Sequence, residues 1–578
     1  MQAVNHTGNI ILSICGKKID SDMVKRRLAK FYSVSVDAIM HTSSPTIDTY
    51  LIEETRDAYG LNWYYKDDVS FTASAYPVID AEVLNAKGGK SIKNLLSRSK
   101  GEFPDLWKIT PPFALFSHHL INDSLTCFND FIGTGRIYTY SKESLHIVAS
   151  TPLAIALVSA NDLIADENFW DAYYTYGGAI GNRTYYKGIT LTPGGNKVVY
   201  NKGRLVSKEI YSYMQALLLE KNNELPYGDS VESCLNMMNA VRSYLPDNFK
   251  IGVSGGRDSR LLAALAIKAG LDFKPYTSYP PALEAEVAKR LFDSLDTDYH
   301  WEAKLHQAVA HIPQQPILER AEKWFCFSFG ESWAYQVKSD YRMSNINSKK
   351  NVSVGFSGVG GEKTRSIGYN SLDRSISEHL DRAFRGTQNS RAMLPRHMKL
   401  SAIEQYKATL VEPMMAGISD YYLVDYAHTF TKTRRFFPNS TVKIMPLFTP
   451  ELVVSSFWMP SEDKVSGKFL ADLTAKLVPQ WKDIKFMHEL TEGTDPNLTN
   501  KTHVSPTYWE TDRDDFFDSI KYVIDNINSA ELTMASVEKN ISELPEGRPR
   551  TSQTYEVMFW RAGFHQTMNK INEIRRTF

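Results

Sequence analysis

The stretch "KIGVSGGRDSRLLAALAIKAG", Lys250–Gly270, decides how the chain is to be read. "FKIGVS" has the apolar pattern of a buried strand. "SRLLAALAIKAG" is a helix that stops at Gly270, a residue suited to the left-handed position just past a helix end. Downstream, "LDFKPYTSY" reads as a second strand, "LEAEVAKRLFDSL" as a second helix and "TDYHWEA" as a third strand. This alternation with short connections predicts a parallel sheet that takes ligands at the carboxyl ends of its strands.

The corner between the first strand and helix collects unpaired backbone N–H groups at the positive end of the helix dipole, an arrangement that favours an anion. Gly255 and Gly256 let the backbone approach a ligand closely, and Ser254 and Ser259 each offer a hydroxyl to phosphate oxygens. Asp258 would repel a bare phosphate, so its place in the loop points to a bridging Mg²⁺. No Gly-Lys-Ser/Thr follows, which excludes a Walker A loop and suits a leaving pyrophosphate better than a transferred γ-phosphate. The competing reading is a tight turn with a capping Ser or Asp. The combination Ser-Gly-Gly-x-Asp-Ser between a clean strand and helix favours the ligand loop.

The rest of the chain bounds the function. The 578 residues balance 66 Lys+Arg against 66 Asp+Glu with a pI near 7.2, so no global charge attracts nucleic acid or a membrane surface. Cys15, Cys127, Cys234 and Cys326 lie far apart with no zinc or CxxC spacing, which suits free thiols. The opening "MQAVNHTGNIILSICGKK" lacks the basic and long apolar regions of a signal peptide, and "HIVASTPLAIALVSA" is too short to span a bilayer, so a cytoplasmic location is expected. "NIILSIC", "LHIVAS" and "NKVVYNKGRLVSKEIYSY" read as strands, the last with a hairpin turn at Asn201-Lys202-Gly203. "DSVESCLNMMNAVRSYL" has helical spacing. The connector "LLLEKNNELPYGDS" marks a change of character, dividing the chain into residues 1–215 and 228–578.

"SGGRDS" resembles the pyrophosphate loop of the ATP pyrophosphatases. "VSVGFSGVGGEKTRSIGY" (Val352–Tyr369) is similar to the second glycine-rich loop of the asparagine synthetase, β-lactam synthetase and lasso-peptide macrolactam cyclase group. "FNDFIGTGRIYTY" and "LHIVASTPLAIAL" resemble the end of that group's N-terminal glutaminase-type domain, and "RRFFPNSTVKIMPLFTPELVVSSFWMP" its later core; the resemblance runs from residue 110 to 490 in the family's order. It implies an α/β chain: an N-terminal αββα glutaminase-like sandwich followed by a Rossmann-like ATP-pyrophosphatase domain with helical additions. It also implies ATP and Mg²⁺ as cofactors. Asp258 and Glu362 would bind the metal. Ser254, Gly255, Gly256 and Ser259 would hold pyrophosphate, Gly358 and Gly360 would shape the second loop, and Tyr276 to Tyr279, with Ser278, would line the adenosine site. The alternative for Glu362 is a solvated loop carboxylate.

Two departures matter. Glutamine-hydrolysing members need Cys as residue 2, freed by removal of the initiator Met; this chain has Gln2, and the internal Cys15 has no free amine to activate it. The N-terminal domain is therefore expected to be a scaffold or substrate-contact surface, as in the β-lactam synthetases and macrolactam cyclases. Val359 stands where asparagine synthetases carry a Glu, and it can transfer no proton. Arg257 and Arg260 are unusual around this loop; Arg257 suits a phosphate or a helix surface about equally.

The family's late catalytic lysine, which stabilises charge on the attacked adenylate, is matched by Lys485 in "VPQWKDIKFMHEL", with Lys482 nearby. Of the adjacent Arg434 and Arg435, at most one could meet an acidic substrate. Glu284 and Glu286 complement a helix start. His118 and His119 point apart in a strand and offer no metal site. "NFWDAYYTYGG" and "SFGESWAYQ" read as core or pocket wall, with no basic patch for nucleic acid.

The expectation is an AMP- and pyrophosphate-forming amide synthetase or cyclase. Its partners would be a small-molecule or peptide substrate with a carboxylate and an amine, and biosynthetic partner proteins, with no nucleic acid and no membrane. The alternatives are an ammonia-using asparagine-type synthetase, a tRNA thiolase, which the absence of paired cysteines disfavours, and a non-catalytic nucleotide-binding scaffold.

Overall fold

Alternating side chains on the first strand, Ile10–Gly16, already dictate a layered structure: Ile10, Leu12 and Ile14 join one buried cluster, while Ile11 and Cys15 join another. A computed structural model describes residues 8–53, 63–78, 92, 109–159, 163–176, 178–209, 227–278, 282–295, 302–304, 313–332, 334–338, 354–366, 372–375, 378, 404–405, 442–490, 512–527, 533–542 and 552–578. The readings made on Gln2, Tyr279, Arg434, Arg435 and most of the connector 217–230 lie outside these residues.

The chain is mixed α/β. One six-stranded antiparallel sheet runs in the order Ile189–Leu191, Tyr138–Lys142, Leu145–Ala149, Ile10–Gly16, Ile47–Ile52 and Ile39–Ser43. A second runs Arg204–Glu209, Lys197–Asn201, Ser124–Asn129, Ala114–His119, Ser70–Ser74 and Tyr64–Lys66. Their facing sides share a core that includes Ile11, Leu51, Phe71, Phe116, Cys127 and Val198. The helices Ser21–Tyr32 and Pro152–Val158 cover the outer face of the first sheet. The C-terminal helix Ser552–Thr577 joins them: Arg575 Nη2 donates to Ser159 O (2.9 Å) and Arg561 Nη2 donates to both Glu167 carboxylate oxygens (2.7 Å each). This helix also packs on Ile317–Phe327, so closely at Gly563 that a Cβ there would lie 2.5 Å from Ala321 O.

The outer face of the second sheet, through Phe113, Leu115 and Phe128, shares its cluster with a parallel three-stranded sheet of Lys250–Gly252, Lys274–Ser278 and Glu302–Lys304. The helices Arg257–Lys268 and Ala282–Asp293 connect these strands. The strands Val354–Phe356 and Val442–Ile444 form a separate parallel pair, whose Phe356 ring meets Phe249 edge-on at 5.8 Å. Among the described residues no helix is long and apolar enough to cross a membrane.

The adjacent histidines do part: His118 is fully buried between the sheets, and His119 is half-buried. His118 Nε2 meets Ser44 Oγ at 2.8 Å and its Nδ1 meets Thr49 Oγ1 at 3.1 Å. Burial lowers His118 to a pKa of about 4, although Asp123 and Asp48 pull the other way. Unfolded, this imidazole takes a proton that the folded state refuses. Its contribution to stability is therefore complete above the unfolded pKa near 6.5 and is lost as pH falls towards 4, a change of about 3 kcal/mol. Urea midpoints at pH 7 and pH 4.5 should differ more for the native chain than for His118→Gln; equal differences would contradict the assignment. Burial also raises the Cys15 thiol strongly, with Asp123 and Asp48 adding to the effect, so its thiolate does not form.

Candidate functional site

The first loop is pinned to the sheet before it turns. Val253 N donates to Tyr276 O (2.8 Å) and Thr277 Oγ1 donates to Val253 O (2.7 Å). Ser259 Oγ accepts from Ser254 N (3.0 Å) and lies 3.0 Å from Ser254 Oγ, while Gly256 N donates to Ser254 Oγ at 3.1 Å. The helix then begins at Arg257 with Gly256 as its N-cap and no side chain closing it, so its first turn presents backbone donors to the space beyond.

The second loop leaves the strand Val354–Phe356 opposite that turn. Ser357 N donates to Ile444 O (2.9 Å), and Gly361–Thr364 forms a short 3₁₀ turn. Gly360 has φ +106°, and a Cβ there would sit 2.6 Å from Leu447 O, so only glycine suits the position. Its N–H donates to Glu362 Oε2 at 2.9 Å, holding the largely buried carboxylate in place. A Cβ on Gly361 would lie 2.7 Å from the Cβ of Asp258, so the two loops touch there. Arg365 reaches across from the second loop to the first: its Nε donates to Asp258 Oδ1 at 3.1 Å and its Nη2 to Asp258 Oδ2 at 2.9 Å.

Between the loops lies a cleft of about 610 Å³, lined by Ser254 to Ser259, by Gly358, Val359, Glu362 and Arg365, and by Met487. Ser254, Gly255, Gly256, Asp258, Ser259, Gly358 and Glu362 are thus brought onto one wall-to-wall site. Gly360 stands behind it. Tyr276 is half-buried on the central strand, with its ring beside Gly252, and does not line the cleft; Ser278 ends the same strand. Lys485 has an exposed side chain that also does not line the cleft, and its carbonyl accepts from Arg260 Nη2 at 3.0 Å.

Arg260 is a clamp. Its Nη1 donates to Ile484 O at 2.6 Å and its guanidinium stacks over Phe486 at 3.9 Å, fastening residues 484–487 beneath the loop. Met487 N completes the fastening by donating to Gly255 O at 2.9 Å. Burial lowers the Arg260 pKa to about 10, which still leaves it charged at neutral pH. Arg257 is lowered as well, by burial and then by Arg365, with Glu489 and Asp258 opposing. Glu286 pairs with Arg290 one helical turn on, so it belongs to the helix surface. Sequence reasoning missed Arg365 and Met487. Arg365 carries a signal in retrospect, because it lies three residues after Glu362 in a loop already identified.

Among the described residues no three His, Cys, Asp or Glu side chains gather into a metal cage. Asp258 and Glu362 nevertheless line the cleft beside a helix start that no side chain caps. A pair of carboxylates fits Mg²⁺, which keeps most of its waters and takes one or two protein carboxylates together with phosphate oxygens. Asp258 and Glu362 are the residues that would hold it.

Fold and site together define a mixed α/β chain with a cleft between two glycine-rich loops. No protein-family model matches the sequence, and no curated protein matches it. Among solved structures the chain is similar to the glutamine phosphoribosylpyrophosphate amidotransferase of B. subtilis complexed with ADP and GMP. The TM-score is 0.23 at 9% identity, covering 47% of this chain and 82% of that one, a likeness too distant to carry a functional argument.

Proposed function

We propose that the protein is an ATP-dependent, AMP- and pyrophosphate-forming amide synthetase or cyclase acting on a natural-product or peptide carboxylate. In this reading residues 1–215 are a glutaminase-like domain without its nucleophile, and residues 228–578 are the synthetase. The observation that carries it is the meeting of the Ser254–Ser259 turn with the Gly358–Glu362 loop across one cleft, with Asp258 and Glu362 both facing it. A carboxylate oxygen attacks the α-phosphorus of ATP: a new O–P bond makes the acyl-adenylate anhydride as the bond from the α-phosphorus to the α,β-bridging oxygen breaks and pyrophosphate leaves. An amine then attacks the acyl carbon, AMP leaves, and the amine's proton passes to a base that is not Val359.

The residues act by position and charge. The N–H groups of the first helical turn and the hydroxyls of Ser254 and Ser259 hold the departing pyrophosphate. Mg²⁺ held by Asp258 and Glu362 supplies neutralisation of phosphate charge. Lys485 is exposed, so its proposed role requires its side chain to turn into the cleft when substrate is present. Carboxylate pools labelled with ¹⁸O test the reading: label must appear in AMP, and unlabelled AMP would defeat it.

Gly361→Ala probes the contact between the loops. The added methyl pushes on Asp258, and a displacement of about 1 Å at a positioning residue costs up to about 100-fold in rate. AMP formation should fall between about 10-fold and 100-fold with little change in melting temperature. An unchanged rate would show that the loops do not need this contact.

A further inference from the structure

Both oxygens of Asp258, one of the two carboxylates facing the cleft, rest on one guanidinium, and the planar fork of Arg365 matches them in parallel. The pair is not sealed in a core: the Arg365 side chain is 36% exposed and that of Asp258 is 21% exposed. An ion pair that solvent reaches is exchangeable. Glu362 lies on the same cleft, largely buried and held by Gly360 N, so a cation entering between the carboxylates must compete with Arg365 for Asp258. Arg257, at the start of the same helix, adds a second positive charge that Arg365 already repels.

Resting on the assignment of Asp258 and Glu362 above, we propose that Arg365 is the counter-ion that closes the divalent-cation site in the nucleotide-free protein. The cation then enters together with a nucleotide, whose phosphates accept the guanidinium as it leaves Asp258. A cation arriving alone meets Arg365 with no such exchange. Because the two ligands share one displaced group, each tightens the binding of the other. Arg365 is in this sense a positioning residue.

The test uses Mn²⁺ alone, titrated into the full chain without nucleotide and followed by the electron paramagnetic resonance signal of the free ion. Arg365→Gln should bind Mn²⁺ at least about tenfold more tightly than the native chain, the order of a typical coupling between ligands. The double variant Asp258→Asn/Arg365→Gln should lose that gain, and Arg365→Lys, which keeps the charge without the fork, should fall between. Matching circular dichroism melts establish that the variants fold. Equal Mn²⁺ affinity in the native chain and Arg365→Gln, including no binding by either, would overturn the proposal, as would a gain that survives Asp258→Asn. A fluorescent ATP analogue is titrated in parallel. Its failure to bind the native chain, with the Mn²⁺ difference intact, would defeat the nucleotide reading while leaving Arg365 as the competitor for the cation.

Discussion

Glu331→Ala is expected to destabilise the protein by about 3–5 kcal/mol, because it strands a buried positive charge. Arg136 and Glu331 have side chains 1% and 0% exposed and meet at 3.8 Å, joining the sandwich to a loop that follows the helix Ile317–Phe327. Burial works against the charge on Arg136, and Tyr138, Glu331 and Tyr76 more than offset it. The loop around Glu331 is fastened from both ends of the chain. Tyr185 Oη donates to Phe329 O (2.9 Å), Tyr173 Oη donates to Ser332 O (2.5 Å), and Trp560 Nε1 donates to Gly330 O (3.3 Å). Loss of the carboxylate should therefore lower the first thermal transition and loosen the packing of the C-terminal helix on the sandwich. The double variant Arg136→Met/Glu331→Met should recover most of the loss, since an apolar pair carries no desolvation cost. A melting curve for Glu331→Ala that overlays the native one would contradict the assignment.

Asp258→Asn carries the largest expected effect on chemistry. The amide keeps the shape of the side chain but removes the charge that faces both the cleft and Arg365. Loss of one such electrostatic group costs about 100-fold to 1,000-fold in rate, and AMP formation should fall by that factor with the fold retained. The Arg365 pair is partly exposed, so its loss should cost at most about 1 kcal/mol of stability. A variant within threefold of the native rate would remove Asp258 from the mechanism.

Local chemistry was legible in the sequence and long-range pairing was not. The Asn201-Lys202-Gly203 hairpin could be read because the turn needs left-handed residues, and Lys202 and Gly203 have φ of 48° and 69°. Gly270, at φ 65°, follows the helix Arg257–Lys268 for the same reason. The two loops of the cleft announced themselves by glycines and small polar residues between strand and helix. No periodicity links Arg136 to Glu331, or Arg365 to Asp258, because these pairs form only once distant segments pack. The return of the helix Ser552–Thr577 to the N-terminal sandwich was equally invisible, since an apolar face does not name the surface it covers. Lys485 was matched by its place in the family's order, and such a match says nothing of where a side chain points.

The central claim is that this cleft cuts ATP between its α- and β-phosphates. The direct measurement is nucleotide product analysis with MgATP and pooled amino acids and peptides, comparing the native chain with Asp258→Asn. The account predicts AMP and pyrophosphate in equal amounts from the native chain, with some pools and not others, and a loss of both in the variant. ADP and phosphate as products would contradict it.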